Sequence, residues 1–238
     1  MRCVIFGGSG GLGAAFTALL LKRDDIELLH VGSRVAPTFD DRRVQPFTFD
    51  LEDEASISAA AEAIGKGGPL DLVLVVSGIL QREPDVRPER SWRSIELEAM
   101  QQVFAVNTFG PALIGKHFLP LMRRDGPCRF AAISARVGSI GDNRLGGWHT
   151  YRASKAALNM MIRNFAIEMG RHNREAIVVS LHPGTVDTGL SQPFQNNVPE
   201  GKLFTPEYSA FCLLSVLDGL QPKDTGGFFA WDGQPIEW

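Results

Sequence analysis

The stretch LDLVLVV, residues 70–76, constrains the fold more than any other. A strand with one face in water alternates apolar and polar side chains, because neighbours point to opposite faces. A continuous apolar run is the mark of a parallel strand covered on both faces. RCVIF (2–6), CRFAAIS (128–134) and AIVVSLH (176–182) read the same way. IELLHV (26–31), VQPFTFD (44–50) and GGFFAW (226–231) supply three further strands, with Pro46 placing 44–50 at a sheet edge. Helical patterns fill the gaps: GLGAAFTALLLKR with basic residues at its end, SISAAAEAIG closed by Gly65, a long region over about 97–123, the run from Tyr151 to His172, and SAFCLLSVLDGL. Strands alternating with helices predict an α/β fold, a doubly wound parallel sheet of about seven strands. No linker or repeat divides the chain, so residues 1–238 are expected to form a single domain. Residues 190–204, polar and holding Pro193 and Pro199, are expected to be a mobile loop over the substrate.

The bulk properties exclude several classes. A net charge of −3 gives no field for nucleic acid or an anionic membrane. No apolar run is long enough to span a bilayer, and MRCVIFGG lacks the apolar region of a signal peptide. Cys3, Cys128 and Cys212 form neither a disulfide framework nor a metal cluster. They read as buried thiols in a reducing cytoplasm, and no metal site is expected.

The first strand runs straight into Gly7-Gly8-Ser9-Gly10-Gly11-Leu12-Gly13, and a helix follows. Glycines there let backbone N–H groups approach a pyrophosphate at the positive end of the helix. No Lys-Ser or Lys-Thr follows, which excludes a nucleoside triphosphatase loop. The second strand ends at Ser33-Arg34, where an NAD enzyme usually places an acid for the ribose 2′-hydroxyl. A guanidinium suits a 2′-phosphate, so NADP(H) is favoured over NAD(H), with NAD(H) still possible. Asp50 either meets the adenine amino group or caps the next helix.

Tyr151 and Lys155 are four apart at a helix start and share one face. An ammonium near a phenol lowers the phenol pKa, which suits a general acid. With these residues the chain resembles the short-chain dehydrogenase/reductase family along its whole length. Gly7, Gly11 and Gly13 fit the family's cofactor loop, Asp50-Leu51 its adenine contact, DLVLVVSG its Asp-x-Leu-Val-Asn-Asn-Ala-Gly strand, and VNTFGP its central asparagine at Asn107. YRASK fits Tyr-x-x-Ser-Lys, and HPGTVDT fits Pro-Gly-x-x-x-Thr at Pro183, Gly184 and Thr188. RVGSIGDN and SLHPGTVDT are nearest the branch that holds the signalling protein C-factor and sniffer-type carbonyl reductases. The resemblance implies roles: Tyr151 protonates the substrate oxygen, Lys155 lowers its pKa and binds the nicotinamide ribose, and Asn107 holds a relay water. It implies that Thr188 and the backbone at Val186 hold the carboxamide, that Ser77 and Gly78 line the ribose, and that Ser9 and Leu12 belong to the phosphate loop.

Three departures stand out. Val75 and Val76 replace the asparagine pair, and Phe6 replaces a frequent threonine. The family strand ends Ile-Ser-Ser-x-x-Gly, and its second serine donates to the substrate oxygen. Matching on Gly138 puts Ser134 at the first serine and Ala135 at the second. Ser134, as a candidate catalytic residue, must then turn inward, Ser139 must reach over, or Tyr151 must work without a helper. The helix from Tyr151 is apolar almost all round, which predicts a homodimer or homotetramer. Trp148, Phe194 and Phe204 are expected near the substrate, and His149 either faces the pocket or, as the favoured reading, lies at the surface. Two functions follow: an NADPH-dependent oxidoreductase acting on a small carbonyl or alcohol, or a cofactor-binding signalling protein with weak or no turnover.

Overall fold

The computed structural model describes residues 1–238, the side chains of Asn196 and Asn197 excepted. Seven parallel strands form one sheet: β1 (Arg2–Phe6), β2 (Leu28–Ser33), β3 (Val44–Thr48), β4 (Leu72–Val75), β5 (Cys128–Ile133), β6 (Ala176–His182) and β9 (Phe228–Ala230). Their order is β3-β2-β1-β4-β5-β6-β9, so β3, with Pro46, is an edge strand as the sequence predicts. The order reverses between β1 and β4, the place where open α/β sheets bind ligands at the strand carboxyl ends.

Both faces are covered. α1 (Gly11–Leu20) and α6 (Pro206–Gly219) pack Phe16, Leu20 and Leu213 with Ile5, Leu29, Leu74 and Val179 on one face. On the other face α2 (Glu54–Gly65), α4 (Gly110–Phe118) and α5 (His149–His172) bury Ile57, Ile114 and Ile162 with Val4, Val73, Phe130 and Val178. Two buried faces explain the unbroken apolar run at β4. Phe6 belongs to this second layer. Its ring meets Phe47, Phe49 and Phe118 edge to face, at centroid distances of 5.5, 4.9 and 4.7 Å. Each such contact adds about 0.5–1.5 kcal/mol beyond burial, so packing explains the phenylalanine where the family often has a polar residue.

Several boundaries differ from the sequence reading. α1 ends at Leu20, before Lys22 and Arg23, so these do not sit in its last turn. Arg23 instead bridges Asp25 and Asp218, at 3.2 and 3.0 Å. β2 starts at Leu28, two residues later than the apolar pattern. The region 97–123 is interrupted: α3 (Leu97–Phe104) passes through a π-turn (Ala105–Phe109) into α4. The segment 190–204 is not featureless. It holds a 3-10 turn (Gln192–Asn197), and β8 (Leu203–Phe204) pairs with β7 (Thr185–Val186). Cys3 and Cys128 are buried, and burial pushes their thiols up to about 12 and about 11. Cys212 is only half-buried, because α6 turns that face toward solvent.

Part of the apolar surplus on α5 is used within the chain. Phe165 packs against Phe130 and over Gly115, while Met160 and Ile167 remain exposed. No helix is long and apolar enough to cross a membrane, and no cluster of metal-ligating side chains occurs among the described residues.

Candidate active site

A cavity of about 880 Å³ opens at the carboxyl ends of β1, β2, β4, β5 and β6. One end is made by the glycine loop. Gly7 has φ +96°, and a Cβ there would press on Ser77; a Cβ on Gly13 would collide with the Gly7 carbonyl. The loop therefore keeps an open backbone cradle against the first turn of α1, where helix N–H groups have no partner inside the helix. Ser9, Gly11, Leu12, Ser77 and Gly78 line the same space.

Ser33 is buried and its hydroxyl donates to the Val35 carbonyl. Arg34 is exposed at the cavity edge and has no ion-pair partner among the described residues. Asp50 and Leu51 line the cavity too. The helix cap is Asp53, which accepts from Ala55 N–H at 3.0 Å, and Asp50 accepts from Glu52 N–H at 3.0 Å. Pro183, Gly184, Val186 and Thr188 form the opposite wall.

In the centre lie Tyr151 and Lys155, one turn apart on α5 and both buried. The Lys155 ammonium donates to the Ile133 carbonyl at 3.0 Å and sits 5.9 Å from the Tyr151 ring centre. Burial pushes the phenol pKa up and lowers that of Lys155 to about 8. Desolvation disfavours the charged form of each group.

Asn107 is fully buried in the π-turn. Its Oδ1 accepts from Ile79 N–H at 2.8 Å, and its Nδ2 donates to Ile79 O at 2.8 Å and to Ser154 Oγ at 3.1 Å. The side chain thus pins the backbone just past Val75-Val76-Ser77-Gly78, the work for which the missing asparagines leave a need. Val75 is buried in the sheet core, and Val76 lines the cavity. The π-turn sends Gly110 N–H to Ala105 O, five residues back. Such turns recur at functional sites because they free backbone groups.

The end of β5 narrows the three hydroxyl options. Phe130 and Ala132 face α5, whereas Ala131 faces α1 and α6. Alternation puts Ser134 on the α5 side. It is 2% exposed and lines the cavity, yet its hydroxyl has no hydrogen-bond partner. Ala135 lines the cavity as well, with no hydroxyl to offer. Ser139 does not line it, and its hydroxyl accepts from Asp142 N–H at 3.0 Å. Ser139 is therefore not the substitute.

The substrate end is aromatic. Trp148 packs edge-on against Phe194 at 5.1 Å and lies 6.3 Å from Tyr151. Leu190 and Val198 complete that wall. His149 and Phe204 do not reach the cavity; Phe204 is instead packed on Trp231 and Tyr208. Arg136 and His182 line the cavity, and the sequence reading missed both. His182 closes β6, one residue past the last β5 pair at Leu181, and burial lowers its pKa to about 4. Its position directly before Pro183-Gly184 was the one signal available.

The family model for short chain dehydrogenases matches residues 2–199. The chain belongs to this family of oxidoreductases. It is 32% identical over 190 residues to a 1-hydroxy-2-glutathionyl-2-methyl-3-butene dehydrogenase of Rhodococcus sp. (strain AD45), which covers 79% of this chain and 78% of that protein. C-signal of Myxococcus xanthus is 33% identical over 144 residues, 60% of this chain and 81% of its own. Among solved structures, NADPH-bound carbonyl reductase from chicken fatty liver has a TM-score of 0.84 and 27% identity, covering 100% of this chain and 98% of its own. These relatives place the short-chain dehydrogenase near the C-factor and carbonyl reductase branch. The carbonyl reductase Sniffer of D. melanogaster, at 22% identity, shares the fold with a TM-score of 0.86 and full coverage of this chain.

Proposed function

We propose that this short-chain dehydrogenase is an NADPH-dependent reductase of small, apolar or aromatic carbonyl compounds. The observation that carries the reading is the buried Tyr151-Lys155 pair, facing one cavity with an open glycine cradle and an aromatic wall. The cradle fits a dinucleotide, because Gly7, Ser9, Gly10, Gly11 and Leu12 line the cavity at the start of α1, where N–H groups have no partner inside the helix. Ser9, Gly11, Leu12 and Gly13 would hold the pyrophosphate, Asp50 and Leu51 the adenine, and Ser33 and Arg34 a ribose 2′-phosphate. Ser77, Gly78 and Lys155 would hold the nicotinamide ribose, with Pro183, Gly184, Val186 and Thr188 fixing the carboxamide. NADP(H) is favoured by the unpaired guanidinium of Arg34, and the NADPH-bound chicken relative supports the same choice.

The dinucleotide supplies the hydride. Tyr151 gives its proton to the substrate oxygen, and Lys155 orients the phenol and replaces the proton by way of Asn107 and water. Ser134 offers a buried, unpartnered hydroxyl in the same cavity, on the α5 side of the strand end. Trp148 and Phe194 exclude water. Ala135 supports a second reading, a cofactor-binding signalling protein with low turnover. Removing one such donor costs about 10²–10³ in rate, which slows catalysis without abolishing it. Met160 and Ile167 on α5 support pairing of two copies. The test is NADPH consumption over a panel of aldehydes and ketones. Turnover by the wild type that Tyr151→Phe abolishes supports the reading. NADPH binding with no turnover on any carbonyl supports the signalling alternative.

A further inference from the structure

Glu89 is a carboxylate only 6% exposed, in the segment between β4 and α3. It has no ion-pair partner among the described residues and does not line the cavity. A buried carboxylate is unfavourable unless donors surround it. Here the donors come from the start of α5. Thr150 N–H donates to one carboxylate oxygen at 3.2 Å, and the Thr150 hydroxyl donates to the other. The Glu89 backbone carbonyl accepts from Trp148 N–H at 2.6 Å.

α5 has no side-chain cap of its own and no acid in its first turn. Its cap residue is Trp148, the one described non-glycine residue with a positive φ, at +50°. Left-handed backbone at a bulky residue is strained and persists only where its surroundings fix it. The preceding Gly146 and Gly147 are left-handed too, and Gly147 passes beneath the Glu89 carbonyl. Glu89 therefore supplies from another segment what the helix lacks: acceptors for the N–H groups at its start.

We propose that Glu89 is a positioning residue that fixes Tyr151 and the Trp148 wall as one unit. Thr150 is the immediate neighbour of Tyr151, and the Trp148 ring packs edge-on toward Tyr151 and Phe194. Loss of the Glu89 carboxylate contacts to Thr150 loosens the start of α5, and the phenol and the aromatic wall shift together. The inference rests on Tyr151 being the acid of the proposed reductase.

The test compares Glu89→Ala, Glu89→Gln and Thr150→Val in the full chain. Glutamine keeps an acceptor for Thr150 N–H and a polar group for its hydroxyl, without the charge. Glu89→Ala is expected to lower kcat about 10–100-fold, the scale of a misplaced catalytic group, with NADPH affinity within about twofold. Glu89→Gln is expected to recover kcat to within about threefold, and Thr150→Val to fall between the two. Hydrogen exchange of the peptide spanning 146–155 gives a readout independent of turnover: about tenfold faster exchange in Glu89→Ala, near wild type in Glu89→Gln. If the wild type reduces no carbonyl, the reductase reading fails, and exchange alone decides the positioning role. Unchanged kcat and exchange in Glu89→Ala overturn it. So does a Glu89→Gln defect equal to that of Glu89→Ala.

Discussion

At the cofactor end of the cavity the lining is largely glycine and backbone; at the substrate end it is side chains carried on loops. The first is set by steric limits that few sequences meet. Gly7 and Gly13 face contacts that any Cβ would violate. The second is assembled from Ala135, Trp148, Leu190 and Phe194, drawn from three separate segments. Backbone-built sites leave fixed spacings in a sequence, whereas loop-built walls leave none. The cofactor is accordingly far better determined than the substrate.

The largest expected effect tests the backbone half. Gly13→Val is expected to abolish measurable NADPH binding, followed by cofactor fluorescence, because the new side chain meets the Gly7 carbonyl. Retained binding would mean that the cradle is not the pyrophosphate site. Ala135→Ser tests the other half. It restores a donor worth about 10²–10³ in the full setting, and a rise in kcat of tenfold or more is expected, with NADPH affinity unchanged. A rate no faster than wild type would show that Ser134 or Tyr151 already meets the need.

How much of this was legible depended on where the chemistry lay. The strand and helix alternation predicted the seven-stranded sheet and the edge position of β3, since covered strands have a distinct composition. Helix ends were less legible: Lys22 and Arg23 continue the pattern of α1 but lie past its end, where Arg23 pairs with Asp25 and Asp218. The π-turn at Asn107 has no periodicity signal of its own, as it adds one residue to a helix that continues past it. Glu89 was invisible because its partner Thr150 is distant in sequence. Phe204 was misplaced because its aromatic character suits a core as well as a substrate wall. Ser134, Ala135 and Ser139 could be aligned but not ordered by role, since hydroxyl direction depends on how the strand ends.

A smaller effect concerns the 2′-phosphate. Arg34→Ala is expected to weaken NADPH binding about tenfold or more, the scale of one charge-assisted hydrogen bond, with NADH binding within about twofold. Equal losses for both dinucleotides would remove Arg34 from phosphate recognition. The smallest effect is on stability. Lys155 has a folded pKa near 8, below its ordinary 10.5. Between those values the unfolded chain binds more protons, so this group makes stability rise with pH from about 8 to 10.5. Below about 8 its buried charge is a full burden. Lys155→Met is expected to raise the Tm at pH 7 while losing turnover, and the gain should shrink as pH rises through that window. A Tm gain independent of pH would place its origin in packing instead.

The most direct measurement is single-turnover hydride transfer from bound NADPH to a reactive aldehyde, in wild type and Tyr151→Phe, with NADPH affinity determined on the same samples. The expected result is a rate at least 10²-fold lower in Tyr151→Phe at unchanged affinity, the range of one lost general acid. Equal transfer rates from equally bound NADPH would contradict the assignment of Tyr151 as the proton donor.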